Sequence, residues 1–378
     1  MNRKTGHYQQ LGQQQYFIPD ALPPKEPLFN FSNDLIELYG KTMQAIGQLN
    51  EMARRLPNTQ RFIKAYCIKE AMISSAIEGI HTTLIEIFTQ EISQTNNSAK
   101  ADKQTQLVLN YNKALEVALD LTGTRGFPIV SRVILETHLK LMSGGDGEKA
   151  SPGKFRKQQV RVGNLIPPPA NKVEALMSDL EKFINNDNSL PALIKAGLVH
   201  VQFETIHPFL DGNGRIGRLL IVLMLIDSEI LSNPILYPSL YFKKHHANYY
   251  KKLDAVRTQG DFEGWIYFYL EAIKEGAIDA HKRAKEIEKL EQKLRVKISK
   301  DKNLSKIQDS ANQVLSILFE FPVISVNELS IKIHKSYNST NGIINKFLDA
   351  KILIAPENKK RNKRFYFENY LNLLDKEY

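Results

Sequence analysis

The stretch HPFLDGNGRIGR, from His207 to Arg218, is the most informative part of the sequence, and an apolar run follows it directly. Its three glycines have the spacing of the G-x-G-x-x-G fingerprint of dinucleotide-binding loops. That fingerprint also requires a βαβ unit and an acidic residue about 20 positions later. Here the flanking segments have helical periodicity, and the nearest acidic candidate, Asp227, lies only ten residues after Gly217. The stretch therefore does not fit a dinucleotide-binding fold.

The same stretch has the features of a polyphosphate site. Gly212, Asn213 and Gly214 permit a tight loop whose backbone N–H groups point to one centre. A helix is predicted to start there, and its positive end also favours an anion. Arg215 and Arg218 lie on neighbouring positions of the first helical turns, where each can bind a phosphate with two hydrogen bonds. The sequence therefore predicts an anion hole at this helix start.

Two further residues of the stretch predict nucleotidyl transfer. Asp211 would place a negative charge beside phosphates, which is favourable only if the carboxylate holds a cation. Mg²⁺ bound by one carboxylate and by phosphate oxygens is the usual arrangement. His207, with an unperturbed pKa of about 6.5, can accept a hydroxyl proton near neutral pH.

The whole stretch resembles the signature of the Fic (filamentation induced by cAMP) family, H-x-F-x-[DE]-G-N-G-R-x-x-R. It matches at every specified position, which are His207, Phe209, Asp211, Gly212, Asn213, Gly214, Arg215 and Arg218. The resemblance extends from about Tyr16 to Leu270. It implies a mainly α fold, a helical bundle with one β-hairpin flap.

This resemblance also implies an activity and its site. Family members typically move AMP from ATP to a Tyr, Thr or Ser hydroxyl of a protein, with Mg²⁺. His207 would be the catalytic base, Asp211 the metal ligand, and the Gly-Asn-Gly loop with both arginines the ATP-binding part. The flap would hold the target by strand addition, and its residues here are Val162, Gly163, Asn164 and Leu165. Tyr249 and Tyr250 resemble a tyrosine pair that lies against the nucleotide, although packing within a helix explains them equally well.

A second match concerns regulation. Ser74, Glu78 and Gly79 fit the family's inhibitory helix pattern, [ST]-x-x-x-E-[GN]. The resemblance implies that Glu78 pairs with Arg218 and so occupies the arginine that should hold the γ-phosphate of ATP. The same carboxylate beside a histidine and a metal could also orient water for the removal of AMP.

Composition and charge set the broader class. The chain has 378 residues, 42% of them hydrophobic, and a single cysteine, Cys67. This composition predicts a globular protein without a disulfide framework. The N-terminus lacks the apolar core of a secretory signal, and no apolar stretch approaches the roughly 20 residues that span a bilayer. We therefore expect a cytoplasmic protein that does not enter a membrane.

The pattern along the chain predicts four parts. Residues 1–125 form an N-terminal extension with the inhibitory helix, 126–280 the catalytic core, 281–311 a charged helical connector, and 312–378 a winged helix-turn-helix domain. Within these parts, we expect an extended arm over the first 30 residues, a β-hairpin between Phe155 and Pro169, and one helix from Phe242 to Thr258.

The predicted winged helix lies where basic charge is concentrated, because residues 281–378 contain 20 Lys and Arg against 12 Asp and Glu. Its third helix would be the recognition helix, and the wing would be basic. The residues concerned are Asn338, Ser339, Thr340, Asn341 and Lys346 on the helix, and Lys359, Lys360, Arg361, Lys363 and Arg364 on the wing. A solvated helical face has the same charge pattern, and winged helices also bind proteins, so both DNA and a protein partner remain open.

Three functional hypotheses follow. The first is an adenylyltransferase inhibited by Glu78, acting on a protein bound at the flap or on itself. The second is a winged-helix regulator with a nucleotide-sensing Fic core, although a sensor needs no base such as His207. The third is transfer of another phosphate-containing group. The sequence leaves the target and the oligomeric state open, and a homodimer is one such state.

Overall fold

The chain is mainly helical in the computed structural model, which describes residues 3–55, 59–94, 102–163, 165–355 and 363–376. The α-helices of these residues are α1 Asn33–Arg55, α2 Thr59–Ile77, α3 Leu84–Gln94, α4 Lys103–Leu119, α5 Ser131–Leu141, α6 Val173–Asn186, α7 Ala192–Ile206, α8 Asn213–Asp227, α9 Ser239–Lys244, α10 His246–Gln259, α11 Phe262–Lys300, α12 Gln308–Glu320, α13 Val326–Ile333, α14 Tyr337–Asp349 and α15 Glu368–Asp375. Short helical turns of other types span Asp120–Thr124, Gly145–Ala150, Ala170–Lys172 and Ser305–Ile307. This agrees with the predicted fold class.

Helices α7 and α8 form the centre of the bundle. Every residue of α7 from Leu193 to Ile206 is buried, as are nearly all residues of α8 from Asn213 to Leu225. A helix that is apolar on all sides belongs inside a larger body. The loop between the two helices, which carries most of the motif, is consequently fixed at both ends by the core.

The N-terminal residues form a hairpin, where the sequence analysis expected an extended arm. Strands β1 (Gly6–Leu11) and β2 (Gln14–Pro19) are antiparallel, and Leu11 pairs with Gln14 across a two-residue turn. Gly12 has φ +60° in that turn, a conformation that glycine adopts without strain. The many glutamines of this segment conceal the alternation of buried and exposed residues along the strands. The tight turn at Gly12 was the sequence feature that could have predicted the hairpin.

Helix α2 connects the motif to the C-terminal part of the chain. At one end of the α2 segment, Ser74 and Glu78 contact Arg218 of α8. Along its length, Nζ of Lys69 donates a hydrogen bond of 2.7 Å to the carbonyl of Leu374 in α15. Arg61, also on α2, forms a buried ion pair with Glu291 of α11.

The predicted connector at residues 281–311 begins as a direct continuation of α11. This helix runs for 39 residues, and its distal half buries Arg283, Ala284, Ile287, Glu291, Leu294 and Ile298. Nη1 of Arg283 donates to the carbonyl of Leu374, at 3.2 Å. The helix therefore shares a packed interface with the C-terminal residues.

One predicted helix, Phe242 to Thr258, is wrong in its extent. The structure has two helices, α9 and α10, which begin at Ser239 and extend to Gln259. They are separated at His245, whose backbone (φ −111°, ψ 39°) leaves the helical region. The helical periodicity continues through that residue and therefore does not reveal the break.

From α12 onward, the described C-terminal residues contain three helices and two short strands, and α15 follows the second strand. The order is α12, strand β3 (Val323–Ser325), α13, α14 and strand β4 (Arg364–Tyr366), and β3 pairs antiparallel with β4. A further bridge joins Ile354 to Tyr366. Of the predicted basic wing, Lys359, Lys360 and Arg361 lie outside the described residues.

Candidate active site

Two residues in left-handed backbone conformations bound the motif loop. His207 ends α7 with φ +51°, and its N–H donates to the carbonyl of Phe203 at 2.9 Å. Gly212 precedes α8 with φ +81°. Left-handed residues reverse the chain sharply. The chain therefore turns from the end of α7 to the start of α8 within a few residues.

Asn213 holds this loop closed. Its side-chain oxygen accepts from the N–H of Phe209 at 2.8 Å, and its side-chain nitrogen donates to the carbonyl of Phe209 at 2.9 Å. Asn213 is buried, and both ends of its amide are used. Its side chain therefore closes the loop, and only its backbone N–H remains available to the predicted phosphate site.

His138 on α5 positions the same loop, and the sequence analysis did not single it out. Its ring stacks on Phe209 with centroids 3.7 Å apart. Because Nδ1 accepts the N–H of Gly153 at 3.0 Å, Nε2 carries the proton and donates to the carbonyl of Asp211 at 3.0 Å. Burial lowers the pKa of His138 to about 4, so the ring is neutral. A lone histidine on a helix gave no signal of this contact.

Arg215 lies at the start of α8 with unused hydrogen-bond donors. It is 1% exposed, yet neither Nε nor Nη1 has a partner among the described residues. Only Nη2 has contacts, a long one of 3.4 Å to Asp211 Oδ1 and one to the sulfur of Met142. Buried polar groups in native proteins are nearly always paired. The unpaired donors on Nε and Nη1 are therefore suited to an anion that enters the site.

Among the charged residues of the motif, Asp211 has an exposed side chain. Its side chain is 63% exposed. Oδ1 accepts the N–H of Gly212 at 2.6 Å, which directs the carboxylate to the mouth of the loop. An exposed carboxylate can bind a hydrated cation at low desolvation cost.

Arg218 is fully buried and contacts the end of α2. Nη2 donates to Oε1 of Glu78 at 2.8 Å and to the carbonyl of Ser74 at 2.9 Å, and Nε donates to Oγ of Ser74 at 2.8 Å. Helix α2 ends beside this contact, and Gly79 follows with φ +79°. The sequence pattern thus brings Ser74 and Glu78 onto one arginine.

The carboxylate of Glu78 lies directly against the glycine loop. A Cβ atom on Gly214 would overlap Oε1 of Glu78 and would lie 2.9 Å from Nη1 of Arg218. Burial raises the pKa of Glu78, but the charges of Arg218 and Arg215 and the hydrogen bond from Arg218 outweigh it, so the net pKa is lowered. An ionised carboxylate therefore lies at the site where the sequence predicts phosphates.

His207 is neutral at physiological pH. Burial lowers its pKa to about 4, and the charge of Arg156 contributes to the decrease. Nδ1 has no hydrogen-bond partner among the described residues. A neutral imidazole has a lone pair that can accept a proton.

The predicted flap is narrower than a hairpin of two strands. Val162 and Leu165 exchange two backbone hydrogen bonds of 2.9 Å, and Gly163 has φ +57° between them. This single bridge is the β-pairing described between Phe155 and Pro169. The three prolines that follow restrict pairing, because proline lacks the N–H donor. Asn164, a predicted site residue, lies outside the described residues.

Arg156 joins the flap to the motif and was also missed. Nε donates to the carbonyl of His207 at 2.8 Å, and Nη2 donates to the carbonyl of Pro168 at 2.6 Å. Burial lowers its pKa to about 10. The two carbonyls are 39 residues apart in the chain, and no local pattern in the sequence indicates such a contact.

The two tyrosines of α10 lie in different environments. Tyr249 is 1% exposed, and its hydroxyl lies 2.8 Å from Nε2 of His200. Tyr250 is 39% exposed, and burial together with the charge of Glu78 raises its pKa to about 12. Tyr249 is therefore a core residue, whereas Tyr250 lies at the edge of the site near Glu78.

Comparisons with known proteins agree with the motif. The sequence model of the Fic/DOC family N-terminal region matches residues 36–120, and that of the Fic/DOC family matches residues 128–225. The protein adenylyltransferase Fic of Drosophila yakuba is 28% identical over 230 residues, which are 60% of this chain and 43% of that protein. Its counterpart in Drosophila grimshawi is 27% identical over the same length, 44% of that protein. The chain thus spans less than half the length of these relatives.

Solved structures show the same fold. A Fic family protein from Desulfovibrio desulfuricans G20 superposes with a TM-score of 0.56 at 21% identity, over 90% of this chain and 97% of the other. Residues 134–508 of Fic-1 from C. elegans give a TM-score of 0.53 at 20% identity, over 68% and 75% of the two chains. With two family regions matched in sequence and every specified position of the motif present, the chain belongs to the Fic family.

Proposed function

We propose that the protein transfers AMP from ATP to a Ser, Thr or Tyr hydroxyl of a protein. The observation that carries this proposal is the buried Arg215 at the start of α8, whose Nε and Nη1 have no partner among the described residues, in the same motif as a neutral His207. Such donors suit phosphate oxygens, and a neutral imidazole suits a general base. The relatives named protein adenylyltransferase support the same reaction class.

The step follows from these positions. The α-, β- and γ-phosphates would lie along the glycine loop and the arginines. Nε2 of His207 takes the proton of the target hydroxyl while its oxygen attacks the α-phosphorus. The bond between that phosphorus and the bridging oxygen of the β-phosphate breaks, and pyrophosphate leaves with the electron pair. Holding the hydroxyl in line with the leaving group is the main contribution of such a site.

Asp211 fits a Mg²⁺ ion. Its exposed carboxylate lies beside the predicted phosphate positions, and the described residues contain no cluster of three or more acidic, histidine or cysteine ligands. This donor set suits a cation whose remaining ligands are phosphate oxygens and water. The ion would neutralise the charge that develops on the leaving pyrophosphate.

We also propose that Glu78 inhibits the transfer. Its carboxylate contacts Arg218 and lies against Gly214. A nucleotide phosphate at the same place would be repelled by the negative charge of this carboxylate and would overlap its atoms. ATP would then bind with its phosphates displaced from the line of attack. For the opposite reaction, AMP removal, Glu78 would orient a water molecule from the same position beside the motif.

The flap supports a protein target. The bridge uses the backbone N–H and C=O groups of Val162 and Leu165, so an extended chain would pair with the flap residues that flank them. The flap is braced on its other side, because the N–H of Phe17 in β2 donates to the carbonyl of Ile166 at 3.0 Å. We therefore propose that the target strand pairs with a rigid edge next to His207.

A second candidate function concerns the C-terminal residues, which we propose form a winged helix that binds a partner. The order of α12 to β4 supports this arrangement, and α14 exposes Asn338, Ser339 and Gly342 on one face. For DNA, the basic charge of Arg364 is partly compensated, because its guanidinium pairs with Glu328 at 3.2 Å. DNA as the partner is tested by measuring how the full chain binds a labelled duplex at low salt. The double variant Asn338→Asp/Asn341→Asp is compared with Lys293→Glu as the control.

The main proposal is tested with ATP labelled on the α-phosphate. Incubating the chain and its Glu78→Gly variant with this ATP, Mg²⁺ and a cell extract should give labelled protein bands, and intact mass should show one added AMP wherever the chain modifies itself. ATP labelled on the γ-phosphate is the control. Label from the γ-phosphate, or from neither, would contradict AMP transfer.

A further inference from the structure

Glu204 is a buried carboxyl group that lies near His207 and has no role in the proposed AMP transfer. It lies on the last turn of α7, three residues before His207, with its side chain 10% exposed. Oε2 lies 4.0 Å from Nδ1 of His207. Oε1 has no hydrogen-bond partner among the described residues. A buried group left unpaired in this way is retained at a cost in stability, which suggests a use in the site.

Gly217 on α8 makes room for this carboxyl group. A Cβ atom there would lie 2.7 Å from Oε1 of Glu204, closer than real contacts allow. Any larger residue at this position of α8 would therefore displace Glu204 from the base. The absence of a side chain at Gly217 thus allows Glu204 to lie close to His207.

His207 is held so that only its ring can adjust. Its N–H donates to Phe203, and its carbonyl accepts from Arg156. Nδ1 remains unpaired, and its distance of 4.0 Å from Oε2 of Glu204 is about 1 Å longer than a usual hydrogen bond. A small rotation of either side chain would bring the two atoms into contact.

We propose that Glu204 is a positioning residue for the base, which accepts a hydrogen bond from Nδ1 of His207 and stabilises the imidazolium formed when Nε2 takes the target's proton. The inference rests on the proposed AMP transfer. No proton moves to Glu204 in this step. The target's proton stays on Nε2, Nδ1–H donates to the carboxylate, and the bond broken is that to the leaving pyrophosphate. An ionised carboxylate in this position is the partner that favours an imidazolium.

The charge of Glu204 is set by several neighbours. Burial raises its pKa to about 7, the charge of Glu78 contributes, and the charges of Arg218 and Arg257 act in the opposite direction. The charged or titratable groups that interact with it are Glu78 on α2, His207 at the end of α7, Arg218 on α8, and Tyr249, Tyr250 and Arg257 on α10. Glu204 is thus ionised above about pH 7, and the base is then at its strongest.

The kinetic test uses the Glu78→Gly chain as parent. Adding Glu204→Gln, which conserves the size of the side chain, should lower kcat for AMP transfer about 10- to 100-fold with KM for ATP unchanged. The parent's rate should rise as the pH passes through about 7, or slightly lower because the charge of Glu78 is gone, and this rise should disappear in Glu204→Gln. Glu204→Asp should retain part of it. Glu174→Gln on the exposed side of α6 is the matched control. Equal kcat and an unchanged pH profile would overturn the proposal.

A spectroscopic test does not depend on activity. In the wild-type chain labelled with ¹³C-histidine, the Cε1 signal of His207, assigned by its loss in His207→Asn, should shift as the pH passes through about 7. The shift should vanish in Glu204→Gln. An inactive Glu78→Gly parent would contradict the proposed transfer but leave this readout intact, whereas an identical His207 titration in both chains would remove the contact itself.

Discussion

Nη2 of Arg218 donates a hydrogen bond of 2.8 Å to Oε1 of Glu78, although the two residues are 140 positions apart in the chain. Arg218 is fully buried, whereas the side chain of Glu78 is 33% exposed. The contact therefore occupies the inner end of the site and leaves the glutamate at its open side. A nucleotide that enters from solvent would meet the carboxylate before it reaches the arginine.

Replacing the base should separate binding from chemistry. In the Glu78→Gly background, His207→Ala should retain ATP affinity, because the imidazole contacts the hydroxyl and makes no ground-state contact with phosphate in the proposed reaction. Transfer should decrease by about 100- to 10,000-fold. Calorimetry measures the affinity for ATP, and incorporation of label from the α-phosphate measures the rate of transfer. Full activity of the variant would contradict the role of His207.

Arg156→Gln should lower both stability and transfer. Its guanidinium donates to carbonyls on the flap and on the motif, and its loss leaves buried carbonyls unpaired, which should cost about 2 to 3 kcal/mol of unfolding free energy. Transfer to a protein should decrease more than ATP binding, because the flap would lose its attachment to the loop. Arg161→Gln, an exposed arginine five residues along, is the matched control for denaturant unfolding and label incorporation. A variant as stable and active as that control would exclude this positioning role.

Glu70 predicts a specific pH dependence of stability. Burial raises its pKa to about 8, although hydrogen bonds from Ser239 and Tyr111 and the charge of Arg218 oppose the increase. A carboxyl group whose folded pKa exceeds its unfolded value of about 4.5 contributes stability at low pH, and this contribution is lost as the pH rises towards 8. The melting temperature of Glu70→Gln relative to wild type should therefore rise between pH 5 and pH 9. A constant difference over this range would show that Glu70 keeps an ordinary pKa.

Much of the site could be predicted from the sequence, because its residues are close together in the chain. The spacing of His207, Asp211 and Arg215 reflects a loop and one helical turn, and such local geometry leaves a pattern. Ser74 and Glu78 could be predicted only through the resemblance to a family. The spacing of four residues shows that they share a helix face, but nothing local indicates that this face meets Arg218.

The supporting residues could not be predicted in this way. Arg156 contacts the carbonyl of a residue 51 positions away, His138 contacts one 73 positions away, and Glu204 is one of several polar residues in a buried helix. Their roles depend on how α5, α7 and the flap pack around the loop, which a single sequence does not encode as a local pattern. The hairpin at β1 and β2 was missed for a different reason, because its glutamines conceal the alternation of buried and exposed positions.

No helix in the described part of the chain is both long and apolar enough to span a bilayer. In the proposed mechanism, Glu78 withholds Arg218 from ATP. The most direct measurement compares label incorporation from the α-phosphate of ATP in wild type, Glu78→Gly, Arg218→Ala and the double variant, with melting temperatures determined in parallel. We predict low incorporation in wild type, a large increase in Glu78→Gly, and loss of that increase when Arg218→Ala is added, since the freed arginine is its source. A folded Glu78→Gly protein with no increase in incorporation, or an increase that survives Arg218→Ala, would contradict the claim.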